Sequence, residues 1–307
     1  MSKIKFDDEF SVKSLGIVDN YVYDIEVEDN HNFFANNICV HNSNYVSFAE
    51  LVDKFKPKNP VKFLDKICKD VIEPELERAY DDLFLKFNCY EKRLEMSREV
   101  IADKGIWTAK KRYILNVHNN EGVQYSTPQL KIMGIEAVKS STPESCRNAL
   151  KELFKVIMAG SEENTQKAIN QFKDYFFSLP AESVSFPRGV SDIDKWIDKK
   201  CVYKKGTPIH VRGSLLYNEA LKRNKLDDKL ELIKSGDKIK FCYLKTPNPL
   251  NENVISFPNY LPPELKLEKF VDYEKQFHKT FISVIEPIFN AIGWSTENTQ
   301  SLEDFFV

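Results

Sequence analysis

Tyr21-Val22-Tyr23-Asp24-Ile25-Glu26-Val27 sets polar Asp24 and Glu26 in alternation with apolar Tyr23, Ile25 and Val27. A period of two marks a strand with one wet face. Asp29-Asn30-His31-Asn32 follows as a turn and Phe33-Phe34-Ala35 as a short strand. Asn36-Asn37 makes a hairpin turn, and Ile38-Cys39-Val40 a last strand running into His41-Asn42-Ser43. Residues 1–42 therefore read as an all-β unit. A unit of that size cannot close a core without disulfides or a metal, so it needs a partner or a covering domain.

Outward from that stretch the texture changes. Tyr45-Val46-Ser47-Phe48 is a short strand, and Val61, Phe63, Leu64, Ile67, Cys68, Val71 and Ile72 give helical spacing within 59–89. Strands return between 92 and 136, at Trp107, at Tyr113-Ile114-Leu115-Asn116-Val117 and at Leu130-Lys131-Ile132-Met133, with Asn119-Asn120-Glu121-Gly122 as a hairpin turn. Ser141-Thr142-Pro143-Glu144 opens a largely helical stretch over 143–177, with a capping hydroxyl and proline near the first turn. Further helices are expected around 213–223 and 267–292, before an acidic and aromatic tail at 295–307.

Composition bounds the class. Over 307 residues the formal net charge is −2, with 42% hydrophobic and 29% charged residues, the profile of a globular chain with a sizeable core. No apolar run approaches the roughly 18 residues of a membrane helix. Met1-Ser2-Lys3-Ile4-Lys5-Phe6-Asp7-Asp8 lacks the apolar core of a signal peptide, so a cytoplasmic setting is expected. Cys39, Cys68, Cys89, Cys146, Cys201 and Cys242 lie far apart with no CxxC pair, and read as reduced, mostly packing thiols. The charge is unevenly spread: residues 1–42 hold eight acids against three lysines, a net of −5, leaving +3 for the remainder. Two units with different partners follow, the second better suited to a polyanion.

His41-Asn42-Ser43 carries the first chemistry. The Asn42 amide nitrogen can attack its own carbonyl through a five-membered succinimide ring, a step favoured by proximity. His41, and His31 from the preceding turn, can donate a proton to the leaving amine and polarise the carbonyl, while Ser43 offers a hydroxyl for acyl transfer. Alone, His-Asn-Ser is also a common turn tripeptide. In its setting, Val22-Tyr23-Asp24-Ile25-Glu26-Val27, His31-Asn32-Phe33, Ala35-Asn36 and Val40-His41-Asn42 before Ser43 closely resemble the last two sequence blocks of inteins. The resemblance spans about 15–42. It implies that Asn42 cyclises, His41 assists, Ser43 receives the branched ester, and Asp24 and His31 assist transfer and cyclisation. The N-terminal nucleophile block and second histidine block have no room before Lys3, so the segment looks like the C-terminal half of a split intein, completed by an N-intein on another chain.

The second constellation is Lys110-Lys111-Arg112-Tyr113 after Trp107-Thr108-Ala109, at the head of an apolar strand. Three adjacent cations can neutralise phosphates, and Arg112 and Tyr113 can reach sugars or base edges; Lys104, Lys131, Lys139 and Arg147 could extend the patch. A solvated strand end reads the same from charge alone. With Ser43-Asn44-Tyr45-Val46-Ser47, Met96-Ser97-Arg98-Glu99, Leu130-Lys131-Ile132-Met133-Gly134-Ile135-Glu136 and Lys139-Ser140-Ser141-Thr142-Pro143 beside it, the segment resembles the C-terminal part of family B DNA polymerases, and most nearly the T4-like bacteriophage replicative enzymes. Thr207-Pro208-Ile209-His210-Val211-Arg212-Gly213 with Tyr217-Asn218 is similar to their thumb, and the resemblance covers essentially 43–307. It implies that Lys110, Lys111, Arg112, Tyr113 and Lys131 hold primer-template DNA.

One departure matters. In that family Ser43 would follow an Asp-Thr-Asp turn whose carboxylates bind the two Mg²⁺ ions of nucleotidyl transfer. The chain lacks that turn, the family's other metal-binding aspartate and its nucleotide-binding helix; Glu99 is a candidate carboxylate near the metals, or else a surface salt-bridge partner. Ser301-Leu302-Glu303-Asp304-Phe305-Phe306-Val307 looks like the sliding-clamp peptide of the phage enzymes, with Leu302, Phe305 and Phe306 as anchors. Thr299 replaces the glutamine many such peptides carry.

The expected architecture is α+β and multidomain: a C-intein at 1–42, a palm remainder at 43–140, a mainly helical thumb at 141–298 and a clamp-binding tail at 299–307. The expected activity is that of a DNA-directed DNA polymerase, acquired by trans-splicing to an N-terminal polymerase fragment, with dNTP, primer-template DNA and the clamp as partners and most Mg²⁺ ligands on the partner chain. The rival is a non-enzymatic DNA-binding subunit with a dead intein remnant.

Overall fold

The computed structural model describes residues 22–26, 32–35 and 38–41 as backbone, and residues 45–88, 90–92, 95–198 and 200–295 with their side chains. The chain divides into two compact units, Met1–Met133 and Gly134–Val307.

In the first unit, strands β1 (Val22–Glu26), β2 (Asn32–Ala35) and β3 (Ile38–His41) fall where alternation and turn residues put them. β2 and β3 form a two-stranded antiparallel sheet with Phe33 opposite Val40. β1 joins a different sheet. It lies between β4 (Val46–Ser47) and β5 (Ser97–Ala109) in a five-stranded sheet of order β4-β1-β5-β6-β7, completed by β6 (Arg112–Asn120) and β7 (Val123–Met133). The stretch read as one β unit is thus shared between two sheets. The reason is backbone pairing: a strand with apolar alternation fits any ladder that offers unpaired donors and acceptors.

The β6 to β7 connection is a tight hairpin in which Glu121 (φ 49°) and Gly122 (φ 85°) both take the left-handed region, as a two-residue turn of this hand requires. The β5 to β6 connection turns at Lys110 and Lys111, with Lys111 at φ 62°. Helix α1 (Ala49–Phe55), directly after β4, precedes α2 (Pro60–Ile67) and α3 (Glu73–Lys86). Asn59 caps α2, its side chain accepting from the Lys62 amide at 3.0 Å. Between α2 and α3 the helix widens to a π turn, Cys68–Ile72, just ahead of Pro74, whose missing N–H interrupts the regular ladder. Val61, Leu64 and Cys68, one face of this helix, bury against Ile101 of β5.

The second unit mixes helices with a sheet. α4 (Glu144–Met158) and α5 (Glu162–Ser178) occupy the stretch read as largely helical. The expected hydroxyl cap of α4 is absent: Pro143 holds the N-cap position with no side-chain cap, and Thr142 is buried. After α6 (Ala181–Val184) and β8 (Phe186–Gly189) come the short pair β9 (Ile197–Asp198) and β10 (Val202–Tyr203). α7 (Ile209–Arg223) then packs on β11 (Lys238–Tyr243) and β12 (Val254–Phe257). β12, β11 and β8 form a three-stranded antiparallel sheet, so this unit is less purely helical than its sequence suggested. β12 is buried at all four positions and shows no alternation, while β8 contains proline and glycine; neither carries the period-two signal.

The last helical stretch begins at 273 rather than 267. It runs as α8 (Tyr273–Phe277), a π turn (His278–Ile282) and α9 (Ser283–Ile292), with Pro287 inside α9 and Gly293 at φ 74° ending it. Phe172 and Phe176 of α5 meet Phe281 at 4.6 Å and Phe277 at 5.3 Å between ring centroids, tying the C-terminal helix to the unit's aromatic core. No helix among the described residues is long and apolar enough to cross a membrane.

Candidate nucleic-acid interface

The hairpin joining β5 to β6 presents the basic cluster. Lys110 and Lys111 are exposed at its turn and Arg112 is half-buried at the first position of β6. Tyr113 behaves differently. Its side chain is only 9% exposed, its ring 5.2 Å from that of Tyr45, which lies 5.0 Å from Trp107. Trp107 and Tyr113 are register partners across the two strands, so three aromatic rings from β5, β6 and the segment before β4 buttress the turn. The ring expected to reach DNA packs with Tyr45 inside its own unit.

The structure brings together two residues the sequence had kept apart. Lys131 of β7 forms a salt bridge with Glu99 of β5, whose side chain is 11% exposed. The ion-pair reading of Glu99 thus has its partner in Lys131. Among the described residues no group of three His, Cys, Asp or Glu side chains converges. Of the flanking cations, Lys139 pairs with Glu136 at 3.0 Å.

Beneath this surface runs a polar network that no motif announced. Arg98, 7% exposed, donates from Nη2 to Asp65 Oδ1 at 2.5 Å and from Nη1 to Asn119 Oδ1 at 2.6 Å. Glu73 accepts from the Arg98 amide at 3.2 Å. Burial raises the Asp65 carboxyl pKa, but hydrogen bonds from Lys69 and Arg98 outweigh it and hold the carboxyl below its usual range. Asn119 Oδ1 also accepts from the Gly122 amide at 3.1 Å, so the network links α2, β5 and the β6–β7 turn.

The second unit carries a cationic and aromatic cluster that no contiguous motif contains. Arg188 of β8, Tyr243 of β11, His210 and Arg212 of α7 and Tyr203 of β10 are all partly exposed. The Arg212 guanidinium lies 5.6 Å from the Tyr203 ring centre, and Lys275 sits over Tyr243 at 4.8 Å. Burial pushes the Tyr243 hydroxyl pKa up, against the opposing pull of Arg188 and Arg212. His210 is held below its usual range by burial and by Arg188. Of the Thr207–Gly213 motif, Gly213 has a packing reason: a Cβ there would collide with Ser256 Oγ and lie 2.8 Å from the Ser256 amide nitrogen. Asn218 clips Ile233, donating to its carbonyl and accepting from its amide, both at 2.8 Å.

Of the splicing candidates, the backbone of Asp24 lies in β1 and that of His41 in β3, in separate sheets. His31, Asn42 and Ser43 fall outside the described residues, as do the tail anchors Leu302, Phe305 and Phe306.

An antiparallel sheet backed by a helix and bearing a lysine turn is accompanied by extended similarity to enzymes of DNA synthesis. The chain is 31% identical over 273 residues to the DNA-directed DNA polymerase of Enterobacteria phage T4, covering 83% of this chain and 29% of that protein. It is 34% identical over 285 residues to the DNA-directed DNA polymerase of Escherichia phage RB69, covering 85% of this chain and 31% of that protein. The DNA polymerase of Thermococcus aggregans is 25% identical over 281 residues. The chain therefore spans less than a third of the length of the phage relatives it matches. No family model matches it. Most of the chain is homologous to a part of these DNA polymerases.

Proposed function

We propose that this chain is the C-terminal part of a family B DNA polymerase, made active by trans-splicing to an N-terminal polymerase fragment. Residues 1–42 act as a C-intein, 43–140 as the palm remainder, 141–298 as the thumb and 299–307 as the clamp-binding tail. The observation that carries the polymerase half is similarity over 83% and 85% of the chain to two phage DNA-directed DNA polymerases. The Asp24, His31, His41-Asn42 and Ser43 pattern supports the splicing half.

In this reading the chain grips primer-template duplex through Lys110, Lys111 and Arg112, positioned by the packed Tyr113 ring. Lys131 neutralises Glu99 and orders the adjoining strand. The Mg²⁺ ligands and the dNTP site reside mainly on the partner chain, and the sliding clamp engages Leu302, Phe305 and Phe306. The joined protein works in the host cytoplasm.

Mixing the chain with an upstream chain that carries the N-intein tests the proposal. A ligated polypeptide whose C-terminal part begins at Ser43, a released 42-residue fragment and template-directed synthesis by the product alone are expected. Duplex binding without ligation would favour the non-enzymatic DNA-binding subunit.

A further inference from the structure

The position of β1 raises a question of sheet completion. β1 pairs antiparallel with β4 through Val22 opposite Ser47 and Tyr23 opposite Val46. On its other side it pairs antiparallel with β5, from Val22 opposite Ala102 to Glu26 opposite Ser97, with a register shift between Tyr23 and Ile25. Within the stretch of β5 that it covers, Val100, Ile101 and Ala102 are fully buried. Ile101 packs toward α2, while Val100 and Ala102 pack on the opposite face with Leu115 and Val117.

If residues 1–42 are excised, as the proposed function has it, β1 leaves with them. β5 would then show unpaired N–H and C=O groups over Arg98–Ala102 beside a core, and buried polar groups without partners are costly. β4 would lose its only ladder in the sheet order. The gap cannot stay empty.

The same pairing says what can fill it. Ser43 stands three residues before β4, a distance that suits a tight hairpin connection. A polypeptide joined to Ser43 that turns back through such a hairpin runs antiparallel to β4 and parallel to the present β1, along the same slot. In the unspliced chain the β1 to β4 connection is instead residues 27–45, which carry the separate β2–β3 hairpin. β1 also cannot pair in this sheet and in a β unit completed by a second chain at one time.

We infer that Val22–Glu26 is a placeholder strand: it closes the gap between β4 and β5 until the extended segment directly upstream of Ser43 in the joined chain replaces it. The replacing segment is a strand with apolar residues opposite Ile101 and Ala102, since those positions feed the two buried faces. Association with the partner withdraws β1 and delivers its successor, so strand exchange and ligation are coupled. This inference rests on the splicing reading above.

Cysteines at two register partners test it in the full-length chain. With Tyr23→Cys and Val46→Cys, mild oxidation should produce an intramolecular cross-link between the two, mapped by peptide mass spectrometry. When the upstream chain is added, the oxidised form should ligate at least ten-fold more slowly than the same protein after reduction. Separately, Tyr23→Pro removes a ladder donor and should speed amide hydrogen exchange over 97–102 by ten-fold or more while leaving β6 and β7 unchanged. No cross-link together with unaltered exchange would overturn the placeholder, as would a cross-linked chain that ligates as fast as the reduced one. If neither form ligates, the splicing reading fails and takes the replacement step with it, while the cross-link and the exchange rates still report where β1 sits.

Discussion

Arg98 on β5 and Asp65 on α2 meet at 2.5 Å, with the arginine buried and the carboxylate partly open to solvent. The pair fastens the helix of the first unit to its sheet, alongside the apolar packing of Leu64 on the same face. Because Asn119 and the Glu99 carbonyl also accept from Arg98, removing the carboxylate leaves a buried cation only partly satisfied.

Asp65→Asn should therefore destabilise the protein by about 1–3 kcal/mol at pH 7, below the full scale for breaking a buried pair because the carboxylate is partly solvated. The sign with pH follows from the lowered carboxyl pKa: the contribution is fully present above the unfolded value near 3.9 and is lost as pH falls through the lower folded value. Urea titrations at pH 7 and pH 3 check this. The difference between the parent protein and Asp65→Asn should shrink at the lower pH; a constant difference would exclude the linkage.

Gly213→Ala should cost about 1–3 kcal/mol by overpacking α7 against β12. Ser256→Ala in the same chain should restore only part of the stability, because the Ser256 amide nitrogen still lies 2.8 Å from the added Cβ. Thermal unfolding of the single and double variants reads the result.

Lys110 and Lys111 at the exposed turn are expected to bind phosphates. Replacing both with Ala in the ligated protein should flatten the dependence of DNA affinity on salt by roughly 0.9 for each phosphate that is no longer neutralised. An unchanged slope would make the turn a solvated strand end. Tyr113→Ala should act mainly on stability, by about 3 kcal/mol, as expected for deleting a packed aromatic ring.

Asn42→Ala removes the cyclising amide. Release of the 42-residue fragment should stop while a branched ester to Ser43 accumulates, visible by gel after mixing with the upstream chain. Undiminished fragment release would refute cyclisation at Asn42.

Deleting 301–307 from the ligated protein should leave synthesis on short templates intact and abolish stimulation by a sliding clamp on long ones. Each buried anchor contributes on the order of 1.5–3 kcal/mol before the tail's ordering is subtracted. Full clamp response from the truncated protein would place the anchors elsewhere.

Local signals carried much of this protein. Alternation in Val22–Glu26, the Glu121-Gly122 turn and the Val61-Leu64-Cys68 face depend on neighbours within a few residues, and period and turn chemistry report such elements directly. The lysine turn and the Asn42-Ser43 pair are contiguous, so the proposals built on them could be drawn from sequence order. Tertiary structure decided the rest. Which ladder β1 enters depends on the unpaired edges of β4 and β5, a long-range fact that no alternation pattern encodes. The burial of Tyr113, the pairing of Glu99 with Lys131 and the reach of Arg98 to Asp65 each join residues from different elements, where a side chain's role is set by what chain folding brings beside it.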